Sequence, residues 1–232
     1  MGDPDTLNDG PGVIEPGPQA SDTDRLAAVP FVNASSLWSV EYLCESAWFA
    51  HAPFMFWLIG VHRPETFVEL GTHAGFSLLA ACQAVERHGT QTRCFAIDTW
   101  RGDEHAGYYG EDVYQALSGY HNRRFAAFST LIRGSFDESV VSFPDGSIDL
   151  LHIDGRHFYG DIKHDFTTWA AKLSARAVVL LHDTNVRERE FGVGRFLAEI
   201  RDEHPTFEFP HGHGLGVVAL GEDAVSYTHL TL

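Results

Sequence analysis

Two short stretches of this sequence place carboxylates beside imidazoles. The first, Leu151-His152-Ile153-Asp154-Gly155-Arg156-His157-Phe158-Tyr159, sets a histidine three residues beyond an acid. The second is Leu181-His182-Asp183-Thr184-Asn185. Aspartate oxygens suit Mg²⁺, and imidazole shifts the preference towards Mn²⁺, Fe²⁺ or Zn²⁺. Such a cation orients a hydroxyl and lowers its pKa, and a nearby histidine then takes the proton. A third stretch, Val68-Glu69-Leu70-Gly71-Thr72-His73-Ala74-Gly75-Phe76-Ser77, carries the pattern E-x-G-x-x-x-G. Its glycines let the backbone come close to a ligand. The dinucleotide fingerprint G-x-G-x-x-G is missing, because Thr72 and His73 stand where its second glycine belongs. No Gly-Lys-Ser/Thr follows either, so pyrophosphate recognition is disfavoured. Asp98, in Ala96-Ile97-Asp98-Thr99-Trp100, is placed to bond ribose hydroxyls at the end of a second strand. Together these features suit an adenosyl ligand without a diphosphate.

The elements that must position these residues alternate from residue 66 onward. Residues 66–70, 94–97, 129–133, 148–153 and 177–181 are short apolar runs that predict strands, the last almost wholly apolar like a central parallel strand. Leu78, Leu79, Cys82 and Val85 predict a helix over 76–87. Ile162, Phe166, Trp169 and Leu173 predict another, and Val193, Phe196, Leu197 and Ile200 a third. Residues 207–209 and 216–220 read as a closing hairpin around a Gly/His turn. Strands alternating with helices imply an α/β fold, a doubly wound, mostly parallel sheet with helices on both faces. Such sheets bind ligands at the carboxyl ends of their strands. Glu69, Asp98, Asp154 and Asp183 all fall there. One acid after a strand is an ordinary cap or turn former; several on one rim are less easily dismissed. Residues 101–125 read as an irregular polar and aromatic stretch, a lid or substrate wall. His211-Gly212-His213-Gly214 could bind metal by composition but reads rather as a turn remote from the parallel strand ends; Arg187 and Arg195 could meet an acidic or phosphorylated acceptor but read rather as solvated or paired with Glu188 and Glu190.

The chain has 232 residues, 44% of them hydrophobic, which is enough for a real core and excludes an extended disordered protein. With 32 acidic against 16 basic residues the formal charge is −16, so nucleic acid is not an expected partner. The three cysteines contain no C-x-x-C pair, which disfavours a disulfide scaffold or a zinc ribbon and fits a reducing cytoplasm. No signal peptide is read at the start, and the apolar run 48–61 is too short to span a bilayer, so no membrane partner is expected.

The glycine loop followed by Ala96-Ile97-Asp98-Thr99-Trp100 resembles class I S-adenosylmethionine-dependent methyltransferases, over residues 61 to 221. That resemblance implies a Rossmann-like seven-stranded sheet with a C-terminal antiparallel hairpin. It implies cofactor contacts from Glu69, Gly71, Thr72, Gly75, Ser77, Asp98, Thr99 and Trp100. It further implies Ser135 and Phe136 near the adenine, and a contact from Asp154. The acid–histidine stretches are similar to metal-dependent O-methyltransferases, including those acting on sugars of macrolide antibiotics. That pattern implies Asp154, His182 and Asp183 as ligands of a divalent metal, Mg²⁺ or Mn²⁺, and His157 as the base. The sequence departs at His182, where the sugar enzymes carry an acid. The implied partner is a small hydroxyl acceptor, a sugar or glycosylated metabolite; a homo-oligomer is compatible with this reading. Residues 1–30 are expected to be a disordered acidic arm and 31–60 a helical segment. Residues 222–232 are read as a tail, with 226–232 suspected as an artefact. A metal-dependent hydrolase, a nicotinamide oxidoreductase and a non-catalytic methyltransferase-like domain are the rival readings. The missing dinucleotide fingerprint speaks against the oxidoreductase.

Overall fold

The computed structural model describes residues 33–220; the expected acidic arm and the tail lie outside the described residues. A 3₁₀ turn, Ala47–His51, is capped by the Ser46 hydroxyl, which accepts from Trp48 N. It runs into α1 (Ala52–His62), which opens with a proline in its first turn and is buried on almost every side. Seven strands then form one sheet: β1 (Thr66–Leu70), β2 (Arg93–Asp98), β5 (Ser129–Arg133), β6 (Ile148–Ile153), β7 (Leu173–His182), β8 (Thr206–Phe209) and β9 (Leu215–Ala219). Their order is β5-β2-β1-β6-β7-β9-β8, with β1, β2, β5, β6 and β7 parallel and β9 antiparallel to both β7 and β8. The helices are α2 (Phe76–His88), α3 (Glu111–Arg124), the single turn α4 (Phe136–Ser139), α5 (Tyr159–Ala170) and α6 (Val193–Ile200). A two-stranded ribbon, β3 (Gly102–Asp103) and β4 (Gly107–Tyr108), stands apart from the sheet. The expected fold class is therefore the observed one.

Alternation along the strands divides the core into two layers. Phe67, Ala96, Leu150, Leu180 and Val217 pack with α1 and α2 on one face. Val68, Ile97, Leu151, Leu181 and Val218 pack with α5 and α6 on the other. Glu69, His152 and His182 follow the first set in phase, so their side chains enter the layer beneath Trp48 and His51. This placement shapes the site.

Two expectations need correction. Residues 101–125 are not irregular: they hold the ribbon and the fourteen-residue helix α3. Only Leu117 and His121 of α3 are buried, so it carries almost no apolar stripe; acids in its first turn and bases in its last favour it instead. The stripe 162–173 is also not one helix. α5 ends at Ala170, and Leu173 already belongs to β7.

Candidate active site

The carboxyl ends of β1, β2, β6 and β7 open into a cavity of about 1000 Å³. One end is the loop between β1 and α2. Gly71 (φ +87°) lies so close to β6 that a Cβ there would stand 2.0 Å from the Asp154 carbonyl oxygen. Gly75 (φ +86°) precedes α2 and packs on Leu117, which leaves no room for a side chain. Thr72 and Ser77 line the same end. Asp98 holds this loop: its Oδ2 accepts from Thr72 N and His73 N at 2.9 Å each, and its Oδ1 from Trp100 N at 2.7 Å. The Tyr109 hydroxyl also donates to Oδ2, at 3.4 Å, whereas Oδ1 has the one donor Trp100 N and keeps a lone pair. Thr99, Ser135 and Phe136 line the adjoining wall. Ser135 also caps α4, exchanging hydrogen bonds with Glu138.

Two residues expected among the cofactor contacts stand behind this wall. Glu69 has no exposed surface; it lies in register with His152, whose Nδ1 is 2.9 Å from its Oε2. A strand residue in this phase enters the core rather than the cavity. Trp100 is likewise sealed, its indole N–H donating to the His73 carbonyl. Both support the loop without facing the cavity.

The other end gathers Asp154, His157, His182 and Asp183. One ligand atom each from Asp154, His182 and Asp183 lies within 4.8 Å of the others. His157 Nε2 stands 3.3 Å from Asp154 Oδ1 and 2.9 Å from Asp183 Oδ2, its ring stacked on Phe191. Burial disfavours the charged imidazole, but the two carboxylates outweigh it and raise His157 to about 9. Burial likewise works against His182, and Asp154 lifts its pKa overall. For Asp154, burial is opposed by His182 and His157, which hold its carboxyl well below the usual range.

His182 tests whether a cation fits. Its Nε2 donates to the Gly212 carbonyl at 3.1 Å, which directs the lone pair of the neutral ring, on Nδ1, towards Asp154 Oδ1 at 3.2 Å. Two facing lone pairs repel; either a second proton or a cation between them relieves this. A backbone carbonyl that fixes the far nitrogen is the usual arrangement behind a metal-bound histidine. The donor set of two carboxylates and an imidazole therefore fits a divalent cation.

The turn at His211–Gly214 is a correction. It is not remote from the strand ends, because β9 runs antiparallel and begins where β7 finishes. Gly212 O accepts from His182 and His51, and His213 Nδ1 stands 3.2 Å from Asp183 Oδ1. Asp183 N donates to Gly214 O, fixing Asp183 in a left-handed conformation (φ +63°) that aspartate tolerates better than most residues. Pairing direction would have revealed this from sequence. His105, within the stretch read as a lid or substrate wall, lines the cavity too. From the ribbon its Nδ1 accepts from His157 N at 3.3 Å, and its Nε2 bonds Arg189 O at 2.8 Å, joining the 101–110 wall to the loop after β7.

Residues 68–184 match a family model described as a methyltransferase domain. The chain belongs to this methyltransferase family. The chain is 51% identical over 178 residues to an uncharacterized protein, y4gI, of Sinorhizobium fredii; the match takes in 77% of the chain and 20% of that relative. It thus spans about one fifth of the curated relative's length. Its fold resembles the methyltransferase PaMTH1 of Podospora anserina, solved with S-adenosylhomocysteine (TM-score 0.57, 13% identity, 88% of this chain and 89% of that one). It also resembles the O-methyltransferase TomG of Streptomyces achromogenes, solved with S-adenosylmethionine (TM-score 0.56, 13% identity, 88% and 91%). No helix among the described residues is long and apolar enough to cross a membrane.

Proposed function

We propose that this protein is a class I S-adenosylmethionine-dependent O-methyltransferase acting on a hydroxyl of a small polar acceptor, aided by a divalent cation. One observation carries the reading. The glycine loop with Asp98 and the Asp154–His182–Asp183 set line one and the same cavity, as transfer from a sulfonium to an activated oxygen requires. The loop at Gly71–Gly75 holds the methionine part, Asp98 the ribose, and Ser135 with Phe136 flank the adenine. Asp154, His182 and Asp183 hold the cation, which supplies orientation of the acceptor and a lowered hydroxyl pKa. His157 receives the proton. A cation held by Asp154, His182 and Asp183 would offset the carboxylate charge that keeps His157 protonated and so leave its imidazole free for this role. Mn²⁺ is favoured over Mg²⁺ by the imidazole at position 182. Arg156, Arg187 and Arg189 at the rim suit an oxygen-rich acceptor such as a sugar or glycosylated metabolite.

Calorimetry with S-adenosylmethionine and its demethylated product tests the cofactor. Mn²⁺ titration, followed by electron paramagnetic resonance, tests the cation apart from turnover. Binding of both supports the reading. No nucleoside binding sinks it, and no Mn²⁺ binding, or full turnover in excess chelator, removes the metal from it.

A further inference from the structure

α5 turns three residues into the core: Ile162, Asp165 and Trp169. Two are what a helix buries on its apolar stripe; the middle one is an acid. Asp165 is only 7% exposed. Among the described residues, no donor hydrogen-bonds it. The nearest cations are engaged elsewhere: His164 with Asp137 at 2.8 Å and Arg156 with Asp161 at 2.9 Å. A buried carboxylate without a partner is costly, and helix packing gives no reason for it. Its oxygens are not among the sealed, unpartnered atoms of the interior, and the residue lines the cavity. The carboxylate therefore keeps a face towards the space where a ligand lies.

That space has a definite shape. A Cβ on Gly155 would stand 3.6 Å from Asp165 Oδ2 and 2.6 Å from Phe136 Cε2. The acid, the phenyl edge and a bare stretch of backbone thus converge on one point of the wall. At Gly155 the Phe136 ring packs straight onto bare backbone, so an aromatic ring borders the cavity with the acid at its margin; a flat group lying against that wall would bring an in-plane proton donor to the carboxylate. A purine carrying an amino group meets both demands.

We propose that Asp165 is a specificity residue of the cofactor pocket, its carboxylate accepting a hydrogen bond from the 6-amino group of the adenine. The assignment rests on the reading that the adenine lies at Ser135 and Phe136. Burial, with Asp161 and Asp137 adding to it and His164 and Arg156 opposing, pushes the Asp165 carboxyl up to about 7. An acid in that state gains from a donor in the cavity.

The test is calorimetric, on the full chain. S-adenosylhomocysteine is compared with the analogue carrying hydrogen in place of the 6-amino group, in the wild type and in Asp165→Leu. The leucine preserves side-chain size on a buried stripe and removes the acceptor; thermal melting checks that it folds. At about pH 8.5, where a carboxyl held up to about 7 is ionised, the wild type should prefer the amino compound by ~10- to 100-fold, the range for a hydrogen bond to a charged group. In Asp165→Leu that preference should shrink to within about 3-fold, well below what such a bond supplies. A wild type that binds both nucleosides equally overturns the assignment without any variant, and so does an undiminished preference in Asp165→Leu. A wild type that binds neither overturns the cofactor reading itself, and the assignment with it.

Discussion

The two ends of the cavity are held together by different means. At the glycine loop the charged group, Asp98, is satisfied by three backbone N–H groups, so the loop is ordered before any ligand arrives. At the β6–β7 end the charged groups face one another: Asp154 and Asp183 are bridged by His157, and His182 and His213 stand against them. The first is preorganised by main chain, which no change of ions disturbs. The second is a balance of side-chain charges that a cation can enter. On the proposed function the first is a cofactor cradle and the second a charge-tunable acceptor end, as separate binding and activation steps call for.

This contrast is broken most severely by Asp183→Ala, which should lower methyl transfer roughly 10³-fold while cofactor affinity stays within about 3-fold. Single-turnover kinetics and calorimetry on the same preparation check both halves. Asp98→Ala should do the reverse: three loop N–H groups lose their acceptor, cofactor affinity drops about 10²-fold, and Mn²⁺ binding persists. Equal loss of both ligands in either variant would show that the two ends are one unit. Gly71→Ala strikes their junction, because its Cβ meets the Asp154 carbonyl and its φ is left-handed. It should cost about 2–4 kcal/mol in urea denaturation.

The smallest effect concerns histidines outside the cluster. His62, beneath the sheet, donates to the Asp149 carbonyl and is held down to about 4, by burial first and then by Arg176. His157 is driven the opposite way by its carboxylates. A histidine whose folded pKa lies below its unfolded value of 6.5 takes up a proton mainly on unfolding. Its contribution is complete above pH 6.5 and is lost as the pH falls towards 4. Denaturation at pH 7.5 and 5.5 should show wild type losing about 1 kcal/mol from this group, and His62→Gln should be flatter by that amount.

Most of the scaffold was legible because strand periodicity and strand-end acids are local signals. The strands at Thr66–Leu70, Ser129–Arg133 and Ile148–Ile153 fall where their apolar runs do. β7 begins earlier than its apolar run, at Leu173, because its first residues are half-exposed at the sheet's end, where Ser174 bonds Asp149. α3 was illegible for a different reason, being held at the surface by charge and a single buried leucine. In the site, types and spacing pointed to Asp154, His157, His182 and Asp183, which do converge. What spacing could not say was phase and direction. Glu69 enters the core because of its strand phase, and His213 reaches the site because β9 runs antiparallel. Asp165 was hidden inside an apolar stripe, where an acid is easily passed over as a solvated residue.

The most direct test of the account is S-adenosylhomocysteine titrated calorimetrically into the wild type and Asp183→Ala, each with and without Mn²⁺. The account predicts binding of the nucleoside in both proteins, with Mn²⁺ heat in the wild type alone. No nucleoside binding by the wild type, or Mn²⁺ binding undiminished in Asp183→Ala, would contradict it.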